Sequence, residues 1–351
     1  MLRLRTLLFL IGTLFISGTS VAGAPTIALR GDGTLPFTLS DNRILVTVQL
    51  NGHGPYRFVF DTGGANILDP LVAHDLGLTL ENDGEAAGAG AERQQAWRTH
   101  VALAELGGAA IHDHEFRVIS LEAIRNAIGF ERFDGIVGRE LFERFVVDID
   151  YDRSRLTFVE PKAWKPSPNF GPALTLGYVD GIPAVHAVVD SLPGRFIIDT
   201  GDRSSLTLFG PFVKRHGLRT KFARTMRAVT GWGVGGPIPA DVVRVPRFEF
   251  GGSTVSGVVT RMPLLERGGF ATSEAAGSVG TGVLKRFRTV FDYSRNRMFL
   301  APDAAFAAPD PADRSGLWLV LADGGFKVMS VVTGSPADQC GVRVDDIITA
   351  V

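Results

Sequence analysis

The chain repeats itself, and the repeat limits what it can fold into. Asp61-Thr62-Gly63 follows the apolar run Phe58-Val59-Phe60, and Asp199-Thr200-Gly201 follows Phe196-Ile197-Ile198. An apolar stretch comes after each, ending in Gly77-Leu78 and in Gly217-Leu218. Gly135-Ile136-Val137-Gly138 then matches Gly277-Ser278-Val279-Gly280, Phe145 matches Phe287, and Asp150-Tyr151 matches Asp292-Tyr293. Arg153 and Arg155 match Arg295 and Arg297 at the same offset (280 − 138 = 142). At the tripeptide the offset is 199 − 61 = 138, so the second copy holds four more residues between its blocks, a loop's worth. Register kept over such a span identifies a duplicated domain. Two copies, each delivering one carboxylate, suggest a site on a pseudo-twofold axis.

With 351 residues, 45 % of them hydrophobic, the chain is long enough for two or three domains with cores. A formal net charge of −1 offers no basic excess for nucleic acid. Proline punctuates it: Pro161, Pro166, Pro168 and Pro172 separate the copies, and Pro302, Pro309 and Pro311 close the second. The expected organisation is a first lobe over 25–160, a linker over 161–172, a second lobe over 173–301, a linker over 302–315 and a final segment over 316–351. Within each copy the pattern is mostly β. Residues 44–50 and 56–60 read as a hairpin, as do 184–189 and 195–198, each running into its acidic loop. Short helices are expected at Pro70–Leu76 and Pro211–His216. Each copy also has a Gly-rich passage, 84–90 and 231–236, in which Gly88, Gly90, Gly233 and Gly235 are candidate flap residues closing over a groove.

Arg3 and Arg5 precede an apolar stretch, Leu7 to Phe15, and Ala22 and Ala24 stand at a signal-peptidase spacing. A secretory leader over 1–24 is expected, and with it a periplasmic or secreted protein without a stable membrane anchor. The single cysteine, Cys340, forms no internal disulfide and reads as a small packing residue.

A hydrolase acting through water needs a base and an acid. Two carboxylates roughly 3 Å apart cannot both ionise, so one shared proton lets them fill both roles. Asp61 and Asp199 are the candidate pair. Gly63 and Gly201 let backbone amides approach the carboxylates, and the hydroxyls of Thr62 and Thr200 can bond across the axis.

These motifs resemble the pepsin/retropepsin-type aspartic peptidases in their two-lobed, single-chain form, over about residues 30–301 of this sequence. The resemblance rests on both Asp-Thr-Gly loops, Ile136-Val137-Gly138 and Ser278-Val279-Gly280; Gly138-Arg139-Glu140-Leu141 is similar to a retropepsin helix start, whereas Thr281-Gly282 is not. It implies a mostly β fold of two similar β-barrel lobes related by pseudo-twofold symmetry. It also implies Asp61 and Asp199 as catalytic dyad, Thr62 and Thr200 gripping across the junction, and an extended polypeptide as substrate. Two departures stand out. The residue after the motif, usually Ala or Ser in the family, is Gly64 in one copy and Asp202 in the other. Asp202 is expected to point outward, capping its turn or pairing with Arg203. The flap tyrosine is missing, since no tyrosine lies between Leu78 and Val118; Trp97 and Trp232 are the candidate replacements, against the commoner role of tryptophan as a core anchor.

Other motifs carry less. Gly231, Gly233 and Gly236 have dinucleotide-fingerprint spacing, but Pro237 and Pro239 forbid the helix that must follow. His112-Asp113-His114 offers two imidazoles without a clear third ligand. The final segment resembles the first half of a bacterial PDZ domain, with Gly316, Leu317, Trp318 and Leu319 as its peptide-binding loop and strand. As a truncated module, 316–351 is expected to be incomplete or poorly ordered, being too short for a core of its own.

The function expected from sequence is an exported, monomeric aspartic endopeptidase needing no metal or organic cofactor, acting on polypeptides, with a peptide C-terminus at the PDZ segment. The alternative is a catalytically inactive peptide-binding protein of the same fold.

Overall fold

The computed structural model describes residues 26–130, 132–222 and 226–350. The leader expected over 1–24 lies outside the described residues. The molecule is mostly β, with two similar lobes and a small third module.

Each lobe is organised around one buried hairpin. In the first, strand Arg43–Leu50 pairs with His53–Phe60; in the second, Ile182–Val189 pairs with Leu192–Asp199. A second segment then slots in parallel beside the inner strand. Gly135–Val137 aligns with Phe58–Phe60, and Gly277–Gly280 aligns with Phe196–Asp199. Strands flanked in this way are covered on both faces, which is why Phe58-Val59-Phe60 and Phe196-Ile197-Ile198 are unbroken apolar runs; all six are buried. The helices fall close to expectation, at Pro70–Asp75, capped by the Asp69 side chain, and at Gly210–Arg215.

A six-stranded sheet joins the lobes. At its centre Val146–Asp150 of the first copy pairs antiparallel with Phe287–Asp292 of the second. Asp148 pairs with Val290, its own counterpart in the repeat (290 − 148 = 142), so the pseudo-twofold axis passes through that pair. Arg288 clamps the junction by donating to both carboxylate oxygens of Asp148, at 2.9 and 2.6 Å. Aromatic rings fill the space behind it. Phe142 of the first lobe lies 5.2 Å from Phe291 and 5.5 Å from Tyr293 of the second, centroid to centroid.

The proline-rich segment 302–315 is pinned to the second lobe. The buried Asp310 carboxylate accepts from Ser205 Oγ at 2.9 Å and from the Val259 amide at 2.7 Å. Beyond it, Leu317–Ala322 and Gly325–Val331 form a hairpin joined by Ile347–Ile348, with a short helix, Pro336–Gln339, capped by Ser335. This is the segment expected to be incomplete or poorly ordered, and its described residues form these elements. Its small core of Val320, Val328, Val332 and Ala337 is supplemented by docking against helix Glu122–Ile128 and strand Met226–Gly233. The reading of Cys340 is corrected: it is exposed, because Ala337 takes the inward position of that one-turn helix.

Candidate active site

Both acidic loops are built the same way. Asp61 Oδ1 accepts from the amides of Gly63 and Gly64, both at 2.9 Å, and Asp199 Oδ1 accepts from those of Gly201 and Asp202, again both at 2.9 Å. The Asp61 amide donates to Val137 O at 3.0 Å, fastening the loop to the inner parallel strand. The threonines exchange bonds across the axis. Thr62 N donates to Thr200 Oγ1 at 3.0 Å and Thr200 N to Thr62 Oγ1 at 3.2 Å. The hydroxyls then donate to Ile198 O at 2.8 Å and Phe60 O at 2.9 Å, in the opposite lobes. Tyr293 adds a cross-lobe bond from its hydroxyl to Thr62 O, 2.9 Å.

Both carboxyl groups border Gly201. A methyl group on its α-carbon would lie 3.2 Å from Asp199 Oδ1 and closer still to Asp61 Oδ2, so only glycine fits. Burial raises the pKa of Asp61, opposed by the Gly63 and Gly64 amides, with the charge of Asp202 adding to the rise. Asp199 is raised well above the usual carboxylate range, by burial first, then by the charges of Asp61 and Asp202. Such a pair holds a proton and titrates as one unit.

Asp202 departs from expectation. It does cap its turn, accepting from the Ser204 amide at 2.9 Å, but it points inward and its partner is not Arg203. Arg261 donates from Nη2 to both Asp202 oxygens, each at 3.0 Å, and both side chains are only 7 % exposed. Burial alone would raise Asp202, but Arg261 and the Ser204 and Ser278 donors overcome it and hold the group ionised. Arg203 instead binds Asp41, which Arg43 also pairs with. Arg43, Arg203 and Arg261 all line the cleft, and sequence reasoning missed Arg43 and Arg261.

The Gly-rich passages form two hairpin tips that meet over the dyad. Gly90 N donates to Val234 O at 2.9 Å, Glu92 N to Gly235 O at 3.0 Å, and Gly269 N to Gly88 O at 3.2 Å. Any Cβ at Gly90 would collide with the Gly235 backbone, and one at Gly233 would come within 2.6 Å of Ala89 Cβ. Beneath the tips lies a cavity of about 110 Å³, lined by Asp61, Asp199, Asp202, Ala89, Trp232 and Phe270. Drug-sized ligands occupy pockets of about 300–1,000 Å³, so these tips must part to admit a polypeptide. Of the two tryptophans considered for the flap, Trp232 lines the cavity, whereas Trp97 packs against the first core. His114 is buried against Phe116, ring centroids 4.8 Å apart.

The PDZ-like residues border a second cavity of about 370 Å³, with Gly316, Leu317, Trp318 and Leu319 on one wall and Arg203, Arg261 and Thr230 on another. Trp318 ties the module to the lobes. Its indole N–H donates to Ala127 O at 2.7 Å, its ring lies 5.8 Å from that of Trp232, and the Arg203 guanidinium sits 5.3 Å over it.

Paired Asp-Thr-Gly loops fastened across a pseudo-twofold axis in a mostly β molecule are what the resemblance to aspartic peptidases implies. In agreement, residues 46–141 match the family model for aspartyl proteases, and residues 327–351 match that for a PDZ domain. The chain carries both domains, and both kinds imply peptide binding. The first match takes in Asp61-Thr62-Gly63; the second acidic loop is identified by the internal repeat. No curated protein matches the chain. Among the described residues no helix is long and apolar enough to cross a membrane.

Proposed function

We propose that this protein is an exported, monomeric aspartic endopeptidase whose dyad is Asp61 and Asp199. The observation that carries the reading is that both carboxyl groups border Gly201 and the same cavity beneath the hairpin tips, in loops locked by the threonine exchange. One carboxylate takes a proton from water as the water oxygen bonds to the scissile carbonyl carbon, and the protonated partner gives its proton to the carbonyl oxygen. The carboxyl that took the proton from water then gives it to the amide nitrogen while its partner takes one from a diol hydroxyl, and the amine leaves as the C–N bond breaks. A single chain supplies both aspartates, so a dyad does not require dimerisation. The cleft takes an extended polypeptide once the tips open, and the PDZ segment offers its first strand to a peptide C-terminus. Export is inferred from the basic and apolar pattern of residues 1–24.

The test is cleavage of an unfolded polypeptide by the full chain and by Asp61→Asn and Asp199→Asn. Each substitution is expected to lower kcat by about a thousandfold or more, since acid–base catalysis alone contributes roughly 10²–10⁴-fold. Undiminished cleavage in either variant rejects the assignment.

A further inference from the structure

We propose that the buried Asp202–Arg261 pair is a positioning device that keeps the dyad's proton on Asp199, leaves Asp61 as the ionised base, and moves the dyad's working range toward neutral pH. The two loops are otherwise matched, since each aspartate accepts two amide hydrogens at 2.9 Å. They part company at the next residue. In the first loop this is Gly64, which has no side chain, and a methyl there would come within 2.7 Å of Asp61 Oδ2. In the second it is a carboxylate whose own amide donates to Asp199. A fixed negative charge beside one member of a pair that must hold one proton places the proton on that member.

Arg261 makes the charge permanent. An unpaired buried carboxylate would take up a proton itself. Here Arg261 grips both oxygens of Asp202, is steered by Thr207 Oγ1 at 2.7 Å from its Nε, and lies 5.1 Å over the Phe270 ring. Ser278 Oγ adds a bond to Asp202 at 3.2 Å. The other charged groups around this cluster are Asp61 from the first loop, Asp41 and Arg43 from the start of the first hairpin, and Arg203 from the second loop. Arg43 and Arg203 share Asp41, so their charges are partly met there.

Proton placement matters for turnover only if Asp61 and Asp199 are the working dyad, the reading proposed above, so the deciding measurement is independent of cleavage. Aspartate carboxyl ¹³C shifts are followed against pH in the full chain, with the dyad signals assigned by their loss in Asp61→Asn and Asp199→Asn. The last proton of the cluster is expected to leave from Asp199. Asp202→Asn removes the like charge and leaves Arg261 uncompensated, so that proton should leave about one pH unit lower or more. Arg261→Gln strips Asp202 of its counter-charge, so the three carboxyls together hold one more proton and the last should leave at higher pH. The double variant should return near the wild-type midpoint. A proton resident on Asp61, or single variants that move the midpoint the same way or not at all, overturns the proposal. Should Arg261→Gln not fold, Asp202→Asn decides alone, and an unchanged or higher midpoint is fatal. A dyad that titrates as described in a protein that cleaves nothing would sink the peptidase reading and leave the proton assignment standing.

Discussion

Replacing Thr200 by valine should loosen the lobe junction by an amount that can be worked out. Thr200 is fully buried, and valine keeps its shape while deleting the hydroxyl. Two hydrogen bonds disappear: the one from Thr62 N, 3.0 Å, and the one to Phe60 O, 2.9 Å. Stripping a buried polar group of its partner costs about 1–3 kcal/mol, so the pair amounts to about 2–6 kcal/mol. A domain in the middle of the usual range of about 5–15 kcal/mol survives that loss, and urea unfolding reads it as a lower midpoint with unchanged slope. Thr62→Val deletes the mirror-image bonds, to Ile198 O and from Thr200 N, and should match it within about 1 kcal/mol if the pseudo-twofold is energetically real. Thr200→Ser keeps the hydroxyl and should lose less than about 1 kcal/mol. Cleavage should fall further than stability, since both acidic loops shift relative to each other; a misplacement near 1 Å can lower rate by roughly a hundredfold. The reasoning fails if valine costs under about 1 kcal/mol, or if serine is as damaging as valine.

Two further outcomes follow from buried groups elsewhere. His114, with its side chain 3 % exposed, has its pKa pushed down to about 4 by burial and by the charge of His100. The unfolded chain titrates near 6.5, so the folded state binds fewer protons between those values. Stability from this group is full above about pH 6.5 and is lost as pH falls toward 4, by about 3 kcal/mol in all. Glu140, whose carboxylate lies 3.9 Å from His114 and whose pKa burial raises, acts in the opposite sense. Unfolding of wild type and His114→Gln at pH 7 and pH 4 checks this, and equal acid sensitivity of the two rejects it. Trp318→Ala should free the C-terminal hairpin, since large-to-small changes of this size cost about 3–5 kcal/mol when the ring is well packed. Amide hydrogen exchange over residues 317–331 should rise sharply while the inner strands of both lobes stay protected; unchanged protection of the hairpin would mean that Trp318 does not hold it.

The repeat makes the symmetry of this molecule readable from the sequence alone. Its offset of 142 correctly pairs Asp148 with Val290 on the axis, and its offset of 138 pairs Thr62 with Thr200. Glycine content pointed to the flap tips, though not to their meeting, because a contact between two lobes leaves no local pattern. The partner of Asp202 is hidden from sequence for a similar reason. Arg203 is adjacent in sequence, but Arg261 arrives through the parallel pairing of Leu206–Leu208 with Ser253–Pro263, which sets Thr207 opposite Arg261. Register between strands so far apart in the chain is fixed by packing, not by neighbours. The C-terminal segment was judged by its own small core, whereas the surface that supplements that core lies on residues nearly two hundred positions earlier, such as Ala127.

Where the two copies agree and where they differ divides the chain's labour. Residues that hold the halves together keep to the repeat: the threonine exchange, the paired amides on each aspartate, and the central strand pair. Residues that line the cleft around the dyad break it, with Gly64 against Asp202 and with Arg261 and Trp232 on the second lobe's side. Hydrolysis through water needs two chemically unequal groups, one giving a proton while the other accepts one. Perfectly equivalent lobes would leave that choice to the substrate and would populate both assignments in the resting protein. A fixed charge on one side removes the degeneracy before substrate arrives, so the proton need not be relocated when the cleft closes. On this account duplication supplies the geometry, and local divergence supplies the polarity that the chemistry requires.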